Sequence, residues 1–213
     1  MSDVVKRPYQ SRLRAEQALR TRRLIRAAAE ELFLRVGYTA ASVREIAAAA
    51  GVAERTVFAA FPTKLALFQE VLGVATAGDE RPVPLRDRPE YAALLAESDG
   101  AAVLDAVAVR TRAVMERAGA LMMTAVESAG ADPDMRRLDR QAAATMRRNM
   151  GDVASALHRH GALREGVSDA EAGDVLATLL SPHVYSLLRH RSRWSAARYE
   201  AWLAARLKEA LLP

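Results

Sequence analysis

Three residues, Ser42, Gly51 and Pro62, punctuate the stretch from 42 to 62 so closely that two short helices and a sharp turn are what fits it. Ser42-Val-Arg-Glu45 has the spacing of a capping box, in which the serine hydroxyl accepts from the backbone N–H three residues on and the glutamate reaches back to the cap. A helix therefore begins there, and Gly51 ends it. Gly51-Val52-Ala53 leaves room for a short turn only. Pro62 disfavours helix in the residue before it, so the next helix, from Glu54 to Phe61, is about two turns long. Two short helices joined by a glycine turn make a helix-turn-helix. Val57 and Phe61, four residues apart, fit its inner face with Ile46 and Val52. Glu54, Arg55, Thr56, Phe58 and Ala59 are left on the outer one.

The flanks continue the helical period. Leu24, Ile25, Ala28, Leu32, Phe33 and Val36 mark a helix from Gln10 to Val36, closed by Gly37, where a helix C-terminus favours a residue tolerant of positive φ. Leu65, Phe68, Val71 and Leu72 mark another from Pro62 or Thr63 to about Thr76. Gly78 to Pro89, with three prolines and several charges, is the clearest break in the chain. Helix-period segments then follow at about 90–97, 100–117, 119–129, 133–160, 169–190 and 195–212, and Ser168-Asp-Ala-Glu171 repeats the capping-box spacing. Hydrophobic residues make up 51% of the 213 residues but aromatics only 5%. The excess is Ala and Leu, both strong helix formers, so the expected fold is all-α: a three-helix N-terminal head and a larger C-terminal helical bundle, about nine to ten helices in total. The division expected is a basic arm and start of the first helix at 1–19, a helix-turn-helix domain at 20–78 with the motif at about 42–61, and a second domain at 79–213.

Charge separates these parts. Residues 1–76 hold twelve Lys and Arg against seven Asp and Glu, whereas the remaining 137 residues carry nineteen of each. All the excess positive charge lies in the first third, as expected if that third meets a polyanion. The chain has no Cys, which excludes disulfides, thiolate zinc sites and a cysteine nucleophile. No apolar stretch approaches the ~18 residues that suggest a membrane span, and the N-terminus has no apolar leader core, so a soluble cytoplasmic protein is expected. No Gly-rich phosphate loop, nucleophile elbow or acid/base pair is recognisable, and His158 and His160, two apart on a helix, point to different sides. An enzyme, a cofactor and a metal site are not expected.

In a helix-turn-helix the second helix enters the major groove while the first braces it and touches the backbone. Arg55 can donate a bidentate pair to guanine, Thr56 can bind a phosphate or a thymine methyl, and Lys64 can neutralise a phosphate. The run Gly37-Tyr38, Ser42-Val-Arg-Glu-Ile-Ala47, Ala50-Gly-Val52, Thr56-Val-Phe58, Phe61-Pro62 and Lys64 resembles the DNA-binding domain of the TetR family of regulators over about residues 20–76. That resemblance implies a three-helix head, a fourth helix leading to a larger ligand-binding domain, and dimerisation through the last two long helices. It further implies that Ser42 and Arg44 meet DNA from the first helix of the motif, that Thr56 and Phe58 do so from the second, and that Lys64 lies on phosphate. Phe58 stands where the family usually has Tyr, Ala60 where it often has a polar residue, and Ala53 where a serine usually caps the recognition helix. The expected DNA contacts are Arg22, Arg23, Ser42, Arg44, Glu54, Arg55, Thr56, Phe58 and Lys64.

For the second domain the expectations rest on pattern. Leu176, Leu180 and Leu187, with Tyr199, Trp202, Leu203 and Leu207 of the last helix, form apolar stripes wide enough to face both a core and a second copy, and are the expected dimer interface. Pro182 falls inside the penultimate helix, where it should kink it or mark a hinge. Met115, Met122, Met146, Met150, His183 and Tyr185 are the candidates for an adaptable, mostly apolar pocket, although methionines also fill gaps in ordinary cores. The partners expected are double-stranded operator DNA, a small apolar or amphipathic effector, and a second copy of the chain. The competing reading is a helical ligand- or protein-binding module without DNA recognition.

Overall fold

The computed structural model describes residues 6–81 and 83–213, with side chains from residue 13 onward. The first five residues of the expected basic arm, and the side chains of Lys6, Arg7 and Arg12, lie outside the described residues. The described residues contain helices and turns and no strand, so the chain is all-α. They form two compact units that part after Gly73, a few residues before the expected boundary, because a single helix runs through that point and the proline-rich break comes after it.

The head begins with α1, Lys6–Ala40, which is kinked at Gly37 (φ 81°, ψ 166°), a left-handed φ that glycine takes without a Cβ penalty. Helices α2, Val43–Ala49, α3, Glu54–Ala60, and α4, Lys64–Ala77, follow, and α3 and α4 bend by 63° across Phe61-Pro62-Thr63. The head core is built on Ile25, Phe33, Tyr38, Ile46, Val57, Phe61, Leu67 and Phe68, all buried. Phe33, Tyr38 and Phe68 pack on one another, with ring centroids 5.1–5.8 Å apart. Leu24 and Val36, expected on the inner face of α1, are instead exposed.

In the body, α5 is Pro89–Ala96, α6 Gly100–Ser128, α7 Pro133–Arg159, α8 Asp169–Leu179, α9 Pro182–Ser186 and α10 Ala196–Leu211. Side-chain caps start most of them: Asp99 for α6, Asp132 for α7, and Ser168, which accepts from the Glu171 N–H at 3.2 Å, for α8. α6 runs unbroken through Gly119, so the two segments expected there are one helix of 29 residues. Pro182 does not kink a long helix. α8 stops at Leu179, Ser181 caps a new helix by accepting from the Val184 N–H, and Pro182 is its first residue, where the missing N–H has no partner to lose. Leu187–Arg191 then winds as a π-turn.

Gly100 opens α6 against a wall. A Cβ there would lie 2.7 Å from the Ala162 Cβ and 3.1 Å from Leu212, and an alanine Cβ has no flexible end to swing away. Gly100→Ala is expected to destabilise the body by about 1–3 kcal/mol despite alanine's better helix propensity, as urea denaturation would read. An unchanged or higher midpoint would contradict that packing.

Candidate nucleic-acid interface

The capping box at the start of α2 is formed in full. Ser42 Oγ accepts from the Glu45 N–H at 3.2 Å, while Glu45 Oε2 accepts from the Ser42 N–H at 3.1 Å and from the Ser42 hydroxyl at 2.6 Å. These bonds favour the carboxylate and hold Glu45 below the ordinary glutamate range. The α2–α3 turn crosses Gly51 at φ 67°. α3 then seats Val57 and Phe61 against Ile46, all essentially without solvent exposure, with Val52 half-buried at the turn. Burial of that face fixes the rotation of α3 about its axis. Glu54, Arg55, Phe58 and Ala59 are exposed as a result, Thr56 is half-buried at the edge of the row, and Arg44 is exposed on α2. Phe58 keeps 48% of its surface in solvent.

The recognition helix starts on Ala53, extended at φ −75° and ψ 150°, with no side-chain cap. That geometry already suits a serine. Ala53→Ser is expected to stabilise the head by about 1 kcal/mol, read as slower amide exchange in α3. No gain would show that the helix start is satisfied in another way.

Two basic residues have work other than the one expected of them. Arg22 donates from Nε to Glu70 Oε1 at 2.7 Å, from Nη2 to the second Glu70 oxygen and from Nη1 to the Ala60 carbonyl at 2.8 Å, and its guanidinium lies 4.2 Å from the centre of the Phe61 ring. The hydrogen-bonded carboxylate raises its pKa. Arg22 thus ties α1 to the end of α3 and to α4, and its donors point inward instead of at a phosphate. The Lys64 ammonium donates to the carbonyls of Tyr38 at 2.9 Å and Ala41 at 3.0 Å, with Thr39 at 3.4 Å, and sits 4.4 Å from the centre of the Tyr38 ring. It staples the start of α4 to the α1–α2 turn, with its N–H bonds facing these carbonyls. Arg23 is exposed on α1. Sequence spacing could not reveal either tie, because Arg22 and Glu70 stand 48 residues apart.

In the body the structure sorts the pocket candidates. Met115 and Tyr185 are buried in one core cluster, and Met122, Met146 and Met150 pack half-buried against it. His183 is exposed on α9 and lines no interior, which removes it from the set. A shallow groove of about 240 Å³ between α5 and α6, lined by Leu94, Val103, Glu90, Glu97 and Arg110 among others, contains none of the candidates. His158 pairs with Asp169 at 3.0 Å, and His160 faces the Leu95 carbonyl. The expected interface residues divide as well. Leu176, Leu180, Tyr199, Leu203 and Leu207 are buried within the body itself and have no surface to offer a second copy. The stripes they belong to are two-sided, and their inner edge is core. Leu187, 52% exposed, and Trp202, half-buried, are on the surface.

A sequence model described as bacterial regulatory proteins, tetR family, matches residues 25–71, which span the end of α1 through most of α4. No curated protein matches the sequence. Among solved structures, NalD of Pseudomonas aeruginosa, the secondary repressor of the MexAB-OprM multidrug efflux pump, superposes with a TM-score of 0.71 at 20% identity, over 92% of this chain and 98% of that one. A transcriptional regulator from Saccharomonospora viridis in complex with choline gives 0.68 at 16% identity over 90% and 97% of the two chains. E. coli NemR in its reduced form gives 0.65 at 18% identity over 91% and 99%. At such identities the likeness is one of fold, and it extends beyond the head to the body. No single helix among the described residues is long and apolar enough to cross a membrane. Residues 25–71 thus match the tetR-family model of bacterial regulatory proteins over the helix-turn-helix, and the chain as a whole has the fold of the solved regulators.

Proposed function

We propose that the chain is a sequence-specific transcriptional regulator of the cytoplasm that binds a pseudo-palindromic operator as a homodimer, represses from it, and is released by a small apolar or amphipathic effector. The observation that carries this reading is the outer face of α3, where Glu54, Arg55, Phe58 and Ala59 stand exposed over a core of Ile46, Val57 and Phe61. On this reading Arg55 takes the O6 and N7 acceptors of a guanine, and Phe58 packs on a thymine methyl or a sugar. Glu54 and Thr56 border them, Ser42 and Arg44 meet the backbone from α2, and Arg23 adds charge from α1. A single head reads one half-site, and two-fold related heads read two half-sites about 34 Å apart. Leu187 and Trp202, on the surface of the last helices, are the candidates for contact with the second copy. The body takes the effector, which releases DNA only if it binds one dimer geometry more tightly than the other. That a similarly folded regulator was solved with choline supports a body that receives small molecules. No catalytic role is assigned.

The experiment is an electrophoretic mobility shift on duplex DNA at several salt concentrations, with light scattering on the same sample. Affinity that falls steeply as salt rises, from a particle of twice the chain mass, is the expected result. A monomer, or affinity insensitive to salt, would contradict the reading.

A further inference from the structure

Two buried hydrogen-bond donors in the body have no protein partner among the described residues. Tyr199 of α10 is fully buried, and its hydroxyl has no hydrogen-bond partner among the described residues. The Nε of Arg189, in the π-turn, is buried and unpartnered likewise. Arg189 donates from Nη1 to the Trp194 carbonyl, but no carboxylate pairs with its charge among the described residues. Buried donors left unmatched are uncommon in folded proteins and costly, which makes each of them a question about function.

One ring joins the two. Tyr185 of α9 meets the Tyr199 ring edge-on at 5.0 Å between centroids, and the Arg189 guanidinium stands 6.0 Å from the Tyr185 centroid. The Tyr185 ring reaches this position because α6 has no side chain opposite it: a Cβ on Gly119 would lie 3.3 Å from the ring, with Met115 on the neighbouring turn. The His190 ring also meets Tyr185 edge-on at 6.0 Å, the remaining neighbours are aromatic and apolar, and the unmatched groups of Tyr199 and Arg189 are donors. Burial raises the phenol pKa of Tyr199, so its hydroxyl keeps its proton, and with it the capacity to donate, through the neutral range. The backbone carrying Arg189 also departs from regular helix twice within seven residues, in the π-turn Leu187–Arg191 and at Arg193, left-handed at φ 55°. Such π-turns recur at functional sites.

From this we infer that the junction of α6, α9 and α10 binds a small apolar carboxylate, its oxygens accepting from the Tyr199 hydroxyl and Arg189 Nε and its apolar part lying among Tyr185 and Met115. A carboxylate supplies acceptor capacity for both donors and answers the Arg189 charge. An amine would place a second cation beside Arg189. The site names a chemical class for the effector and so rests on the effector-binding reading above.

The test is calorimetric titration of the full-length protein with benzoate and with octanoate, using benzamide and benzylamine as neutral and cationic controls. The expected result is saturable binding of at least one of the carboxylates, weaker for the amide and absent for the amine. Tyr199→Phe removes one oxygen and keeps the packing, and is expected to weaken carboxylate binding about tenfold while melting no lower than the parent. No heat from either carboxylate up to millimolar concentration would overturn the assignment. So would equal affinity in Tyr199→Phe, or a crystal of the benzoate complex with both donors on water. DNA retention measured on the same samples separates the two readings. Carboxylate binding without DNA binding keeps this site and sinks the regulator, and the reverse outcome does the opposite.

Discussion

Replacing Phe33 by alanine is expected to melt the head and leave the body folded. Phe33 has no exposed surface, and its ring packs edge-on to Phe68 at 5.1 Å and beside Tyr38 at 5.8 Å. Removing it leaves a cavity between α1 and α4 that the two remaining rings cannot fill without leaving their own contact at 5.3 Å. A Phe→Ala change in such a place costs about 3–5 kcal/mol, a large share of the stability of a unit of this size. Hydrogen exchange reads the effect by segment: protection collapses across 25–71 and persists in α6 and α10. Unchanged protection in the head would mean that its core lies elsewhere.

The second large effect is on DNA. Arg55→Ala should cost roughly 1–3 kcal/mol per half-site, counted twice in a dimer, and relax the preference at one base pair of each half-site. Lys64→Ala provides the contrast. Its ammonium is occupied by the carbonyls of Tyr38, Thr39 and Ala41, so the variant is expected to lower the stability of the head while leaving the salt slope of DNA binding unchanged. A phosphate contact would instead reduce that slope by about 1 per head with little effect on melting. Measuring the melting curve and the salt slope of both variants distinguishes the two roles of Lys64, and an Arg55→Ala protein with parental specificity would remove Arg55 from the base edges.

Features that depend on near neighbours were legible in the sequence. Ser42 and Glu45 announce the capping box because both ends of it lie within four residues, and Val57 and Phe61 announce the buried face of α3 because one helix carries both. Gly37 could be read as a stop because only its backbone conformation matters. What the sequence concealed depends on partners far along the chain. Nothing near Arg22 predicts that Glu70 will hold it, and nothing near Lys64 predicts a ring of carbonyls. Pro182 misled for a related reason. It looks like a defect in a long apolar helix, and only Ser181 beside it, acting as a cap, makes it the start of a new one. The apolar stripes of α8 and α10 showed that those helices are buried without saying by what. Leu176, Leu203 and Leu207 turned out to be covered by their own subunit, and Tyr199 and Arg189, whose unmatched donors are the most informative polar groups of the body, carry no local sign of it.

The central claim is that α3 reads DNA sequence, and selection of binding sites from random duplex DNA with the purified full-length protein tests it most directly. Repeated rounds are predicted to enrich a two-fold symmetric motif whose half-sites lie one helical turn apart, with a guanine in each that Arg55→Ala no longer requires. Rounds that enrich no motif, from a protein that still folds and still binds a small molecule, would contradict the claim and leave the chain a helical ligand-binding module.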